Sequence, residues 1–159
     1  APFRNFFLAI SRGRYFHLGS ADPPKLLGYV GNVVHELLGL LNADSERVHG
    51  KIFHLSDYEP TTLRDWSESI CRQMGCRTPR TLPEPLVRIA ARAGDLLRLA
   101  GVTDPPLTST RLANMRTDTT GIPIDDIRDI AGPLPYSLEQ GVEETVLWLR
   151  RAGLLETTA

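Results

Sequence analysis

This 159-residue sequence holds four histidines, two lysines and two cysteines, and their spacing tests several kinds of catalytic or metal chemistry. His17, His35, His49 and His54 contain no i,i+4 pair, the spacing that sets two imidazoles on one helical face around a metal. The residues four before Lys25 and Lys51 are Ala21 and Arg47, so neither lysine completes a Tyr-x-x-x-Lys dyad, in which the ammonium depresses a phenol's pKa. Gly28 and Gly31 are followed by Val34 where a dinucleotide fingerprint needs its third glycine, so that the backbone can close on a pyrophosphate at a helix N-terminus. There is no P-loop, no Gly-x-Ser-x-Gly elbow and no His-Glu-x-x-His. Cys71 and Cys76 are too few for a disulfide framework or a four-ligand metal site, and are expected as one buried and one exposed thiol at a helix end. Sixteen of the eighteen basic residues are arginine. That skew fits either GC-rich coding or the planar guanidinium's match to phosphate and carboxylate. No complete catalytic set is visible.

Composition narrows the class. Nineteen acidic against eighteen basic residues give a net charge of −1, without the basic footprint of a protein built to grip nucleic acid or an anionic membrane. Hydrophobic residues at 42% and charged residues at 23% match a folded globular chain. No apolar run approaches the ~20 residues of a membrane span, and the N-terminus lacks a signal-peptide layout. The expectation is one folded domain over residues 1–159, cytoplasmic, with no membrane or nucleic-acid partner.

The elements that must position any site read as follows. Phe3, Phe6, Phe7 and Ile10 recur at helical spacing, and Gly13 ends that helix. Tyr15–Leu18 predicts a short strand, the 19–24 segment a loop, and Leu26–Val30 a second extended run. Asn32 is placed to cap a helix over Val33–Ala43, apolar on several sides and so expected to be covered on two faces. Lys51–Leu55 is the clearest strand, apolar without alternation, as in a parallel sheet buried on both faces. Thr62 and Asp65 resemble a capping box before a helix carried by Leu63, Trp66, Ile70 and Met74 and stopped by Gly75. Arg77–Pro85 predicts a connector, and Pro85–Ala100 a long helix ended by Gly101 with Pro105-Pro106 beyond. Shorter helices follow over Thr108–Met115 and Ile124–Ala131, and Ser137 starts a last one carried by Leu138, Val142, Val146 and Leu149. The class is α/β, mostly helical with a few short strands. Three separated strands make a poor sheet by themselves, so the pattern looks like part of something larger.

The order of these elements resembles the C-terminal, substrate-binding half of the NAD-dependent epimerase/dehydratase family, the extended short-chain dehydrogenase/reductases. Landmarks run along nearly the whole chain. Phe16-His17-Leu18-Gly19 matches a short strand after a helix, and Lys25-Leu26-Leu27-Gly28-Tyr29-Val30-Gly31-Asn32 is similar to Arg-x-Tyr-Val-x-Val-x-Asp entering a helix. Lys51-Ile52-Phe53-His54-Leu55-Ser56 looks like the family's Gly-x-x-Tyr-Asn-Val-Gly strand, with Thr61-Thr62-Leu63-Arg64-Asp65-Trp66 as the helix start. Arg116-Thr117-Asp118 leads through Gly132-Pro133-Leu134-Pro135 into Ser137-Leu138-Glu139-Gln140-Gly141, the closing signature.

The resemblance implies a lobe whose Rossmann partner is absent: glycine fingerprint, catalytic Ser/Thr and Tyr-x-x-x-Lys belong to that N-terminal half. NAD or NADP would then serve the full-length protein, with none expected in these residues, and no catalytic residue here. The implied substrate is a nucleotide sugar. Backbone groups at Phe16 and Leu18 would hold the base, Lys25 would neutralise a phosphate with less direction than the family's arginine, and Arg111 or Arg116 could add a second phosphate contact. Against these stand a core strand residue at Phe16 and solvated surface charges at Lys25, Arg111 and Arg116. Asn32 stands where the family has Asp. Two other functions remain open: a hydroxysteroid-dehydrogenase-like lobe, suggested by Leu26, Leu27 and the lack of a clear arginine pair, and a non-catalytic binding or oligomerisation module. An orphan strand at Lys51–Leu55 would also make the fragment self-associate.

Overall fold

A computed structural model describes residues 2–20, 22–103, 105 and 107–155. Ala21 of the expected loop and Pro106 of the expected helix stop lie outside them. The described residues form a mostly helical domain: α1 (Pro2–Ser11), β1 (His17–Leu18), α2 (Val30–Asn42), α3 (Ser45–Val48), α4 (Leu63–Met74), β2 (Thr81–Leu82), α5 (Glu84–Leu99), α6 (Ser109–Met115), α7 (Asp125–Ala131) and α8 (Leu138–Arg151). The strands β1 and β2 pair in parallel, His17 opposite Thr81 and Leu18 opposite Leu82.

The main core lies where the apolar stripes of α1, α4 and α8 meet, with Phe7, Ile10, Ile70, Met74, Val142, Val146 and Leu149 buried together. Burial of one such side chain contributes about 1.5–3 kcal/mol. Trp66 closes one end, its ring 4.8 Å from Phe6 and 5.8 Å from Phe7. The helix ends are set by local chemistry. Thr62 Oγ1 accepts the Asp65 N–H at 3.0 Å, and Gly75 stops α4 in the left-handed region at φ +67°. Ser137 and Gln140 form a reciprocal capping box at the start of α8. A smaller core of Val87, Ala91 and Leu112 joins α5 to α6 beneath Leu18 and Leu82.

Several expectations are corrected. The Tyr15–Leu18 strand shrinks to two residues, because β2 offers only Thr81–Leu82, between Pro79 and Pro83, inside what the sequence suggested was a plain connector. Leu26–Val30 forms no strand; only Lys25 bridges Thr61, antiparallel. Asn32 is not the cap of α2. The helix starts at Val30, and Asn32, buried in its first turn, donates to Asp57 Oδ1 at 2.7 Å and the Tyr136 carbonyl at 3.0 Å while accepting the Tyr136 N–H. Asp57 also takes the N–H of Tyr29, so a distant carboxylate does the work expected of a local cap.

Two departures go together. Lys51–Leu55 has no β partner among the described residues, and Ile52 is 87% exposed. The expected two-sided cover of α2 is one-sided: Gly39 packs against Ala131 of α7, while Val30, Val34, Leu37, Leu38 and Leu41 form an exposed stripe. A strand needs a neighbour and an apolar stripe needs a lid, and neither is supplied by the described part of this chain.

Candidate functional site

The site is built on β1. Its His17 and Gly19 N–H groups donate to the Arg80 and Leu82 carbonyls of the β2 side. Peptide groups along a strand alternate in direction, so those of Phe16 and Leu18 are directed to the opposite edge. No strand pairs with that edge among the described residues. Next to it lies a crevice with about 20 Å³ of open space, enough for one water molecule. Its walls include Tyr15, His17, Leu18, Asp22, Arg64 and Arg116.

Two guanidiniums from different elements flank the crevice. Arg64 stands in the first turn of α4, 3.8 Å from Asp22, and its backbone N–H donates to the same carboxylate at 3.0 Å. Arg116 follows α6, and its Nη2 meets Glu84 Oε2 at 2.5 Å. Glu84 also accepts from Arg88, and these two arginines hold its carboxyl below the usual carboxylate range. Gly19 is required beside them: its φ of +73° is left-handed, and a Cβ there would strike the Glu84 carboxylate.

Two nitrogens in the crevice wall are buried without a hydrogen-bond partner, Arg116 Nε and His17 Nε2. The Arg116 Nε–H is a cationic donor with an unmet bond, the group an oxyanion satisfies best. Burial, helped by Arg64, lowers the His17 pKa, so its imidazole is neutral at pH 7. Burial, with Asp22 adding to it, pushes the Tyr15 phenol up to about 12, so it remains protonated. What the arrangement offers is one unmet cationic N–H and a protonated phenol beside two guanidiniums already paired with carboxylates.

The four residues singled out from sequence divide two and two. Leu18 lines the crevice and Phe16, half-exposed, sits on the same free edge. Lys25 and Arg111 are not among the lining residues. The Lys25 ammonium is buried and donates to the Thr117 carbonyl at 2.5 Å and the Asn114 carbonyl at 3.3 Å, which ties down the end of α6. Arg111 Nη1 donates to the Pro105 carbonyl at 2.6 Å. Arg116 proves to be a wall of the crevice, whereas Tyr15, His17, Asp22 and Arg64 were missed. Only Gly19 directly after the strand hinted at a close approach there.

No family model matches this sequence. Over 131 residues it is 28% identical to "Uncharacterized protein YbjS" of Escherichia coli (strain K12), covering 80% of this chain and 38% of that protein. The fold is similar to that in the crystal structure of gox2253, with a TM-score of 0.65 and 19% identity over 98% of this chain and 46% of that one. The chain thus spans less than half the length of each of these two proteins, and the likeness to gox2253 is one of fold.

Proposed function

We propose that these residues form the substrate-holding lobe of a two-lobed, NAD(P)-dependent epimerase/dehydratase-type oxidoreductase acting on a nucleotide sugar. The observation that carries this reading is the free edge at Phe16 and Leu18 running beside the unmet Arg116 Nε–H. A flat base has amide-like edges that suit open backbone donors and acceptors, and a diphosphate suits the two guanidiniums alongside. The lobe's part in the reaction is to orient the substrate and neutralise its charge. NAD or NADP belongs to the other lobe: the residues here lack the glycine-rich turn and the Tyr-x-x-x-Lys pair, and do not fit a dinucleotide. The exposed stripe of α2 and the unpaired Lys51–Leu55 segment supply a face and an edge on which that lobe would seat.

Backbone NMR titration of the chain with UDP-glucose, and separately with a hydroxysteroid, tests this. The expected result is a shift of the Phe16 and Leu18 amides and the Arg116 Nε–H with UDP-glucose alone. Arg116→Gln should weaken the response about tenfold or more, the loss of one charge-assisted hydrogen bond. A response confined to the steroid would transfer the lobe to an apolar substrate. Silence toward both, with no Tyr-x-x-x-Lys encoded upstream of Ala1, would leave a non-catalytic module.

A further inference from the structure

Cys71 and Cys76 form an arrangement that the crevice does not use. Cys71 is in the last turns of α4, 3% exposed, within the core that includes Phe7, Ile70, Met74 and Leu149. Cys76 follows the left-handed Gly75, partly buried against the same core. The chain reversal is fixed by the Cys71 carbonyl, which accepts the N–H groups of both Gly75 and Cys76, the latter at 3.0 Å. This double clasp brings the two sulfurs to 2.9 Å, with Cys76 Sγ donating to Cys71 Sγ. Ordinary non-bonded heavy-atom contacts fall at about 3.5–4.0 Å. A disulfide needs about 2.05 Å, so closing the bond takes a movement of less than about 1 Å.

We propose that Cys71 and Cys76 are an oxidisable dithiol that closes to an intramolecular disulfide when the protein meets a peroxide. The more accessible sulfur reacts first. The Cys76 thiolate attacks the peroxide O–O bond, forming a sulfenic acid and releasing one oxygen as water. Cys71 then attacks the Cys76 sulfur, the S–S bond forms, the S–O bond breaks, and the Cys71 proton leaves with the hydroxide as a second water. Two thiols and one peroxide become one disulfide and two waters, with two electrons passed to the peroxide. Burial assigns the order: it shields Cys71 from the oxidant and raises its thiol pKa, so Cys71 serves as the resolving partner. The closed ring joins the end of α4 to the segment after it, on the reverse side of Gly75.

The test uses the whole 159-residue chain, stoichiometric hydrogen peroxide, and alkylation in denaturant followed by intact-mass measurement. The expected product is a monomer lighter by two hydrogens that takes no alkyl group, and that takes two after dithiothreitol. Cys71→Ser should leave Cys76 as a sulfenic acid trapped by dimedone, at least tenfold above the unsubstituted chain. Cys76→Ser should leave Cys71 unoxidised and alkylated once unfolded. Two free thiols after peroxide, a disulfide between chains, or Cys76 carried to sulfinic acid in the unsubstituted chain would overturn the proposal. The wild-type mass decides the matter even where a variant fails to fold.

Discussion

The carboxylate of Glu84 occupies the space in which a side chain at Gly19 would begin. Gly19 follows β1 with a left-handed φ, and Glu84 opens α5 two residues after β2, so this contact ties the end of β1 to the partner of Arg116.

Gly19→Ala should therefore do two things. The left-handed backbone would cost about 1–2 kcal/mol, and displacement of Glu84 would free the Arg116 guanidinium. Urea denaturation should show the loss, and the Arg116 Nε–H resonance should move without ligand. An alanine variant with unchanged stability and an unmoved Arg116 would show that the contact positions nothing.

Glu36 supplies a pH signature elsewhere in the fold. It is fully buried in α2 and neither carboxylate oxygen reaches hydrogen-bond geometry, although the Ser56 N–H is near enough to favour its charged form a little. Burial, with Asp57 adding to it, raises its pKa to about 7. The folded state then holds this proton more tightly than the unfolded chain, whose glutamate has its ordinary value near 4.5. Stability from this group is greatest at low pH, falls as pH climbs from about 4.5 to 7, and levels off above. A shift of that size corresponds to a span on the order of 3 kcal/mol. Glu36→Gln should flatten the urea midpoint between pH 5 and 8 and raise it at pH 8. A slope that survives the substitution would place its origin in another group.

What could be read from the sequence follows the range of the interactions. Thr62, Gly75 and Ser137 act on residues three or four positions away, and the ends of α4 and α8 fall where those residues indicate. Asn32 has the chemistry of a cap but is recruited by Asp57 and Tyr136, 25 and 104 positions away, and no local pattern encodes that choice. Lys51–Leu55 has the composition of a strand without a partner, and β2 is a strand without the composition, made only by its neighbour. The crevice behaves likewise. Leu18 and Arg116 are reached only through the resemblance to a known family, whereas Asp22 and Arg64 meet them from separate elements with no signal of their own.

Lys25 offers a contrast between charge as recognition and charge as structure. Its ammonium is spent on two carbonyls at the end of α6, and its charge helps hold the Asp118 carboxyl below its usual range, behind the hydrogen bonds from Thr120. Lys25→Met keeps the buried stem but leaves the Thr117 carbonyl without its donor, while the Asn114 carbonyl keeps the Thr117 N–H; the loss should cost about 1–3 kcal/mol in chemical denaturation. Lys25→Arg should not restore it, because a planar fork does not replace a compact ammonium between two carbonyls. A methionine variant as stable as the parent would return Lys25 to the surface charges.

Ile52 lies on a segment with no β partner among the described residues, and the exposed stripe of α2 adds Val30, Val34, Leu37, Leu38 and Leu41 to the apolar surface. Open backbone edges pair with whatever edge is offered, and in a solution of this chain alone the most abundant offer is another copy. Light scattering across a concentration series should show the mass rising toward that of two chains. Ile52→Lys should reverse the rise, since a lysine on an edge resists pairing, while Leu38→Glu should reduce it through the helix stripe. The two substitutions separate the contributions: an edge-driven association fails with the first, and a face-driven one with the second. A mass that stays at one chain throughout the series would mean that the segment and the stripe are quiet surfaces, and would remove their support for a missing lobe.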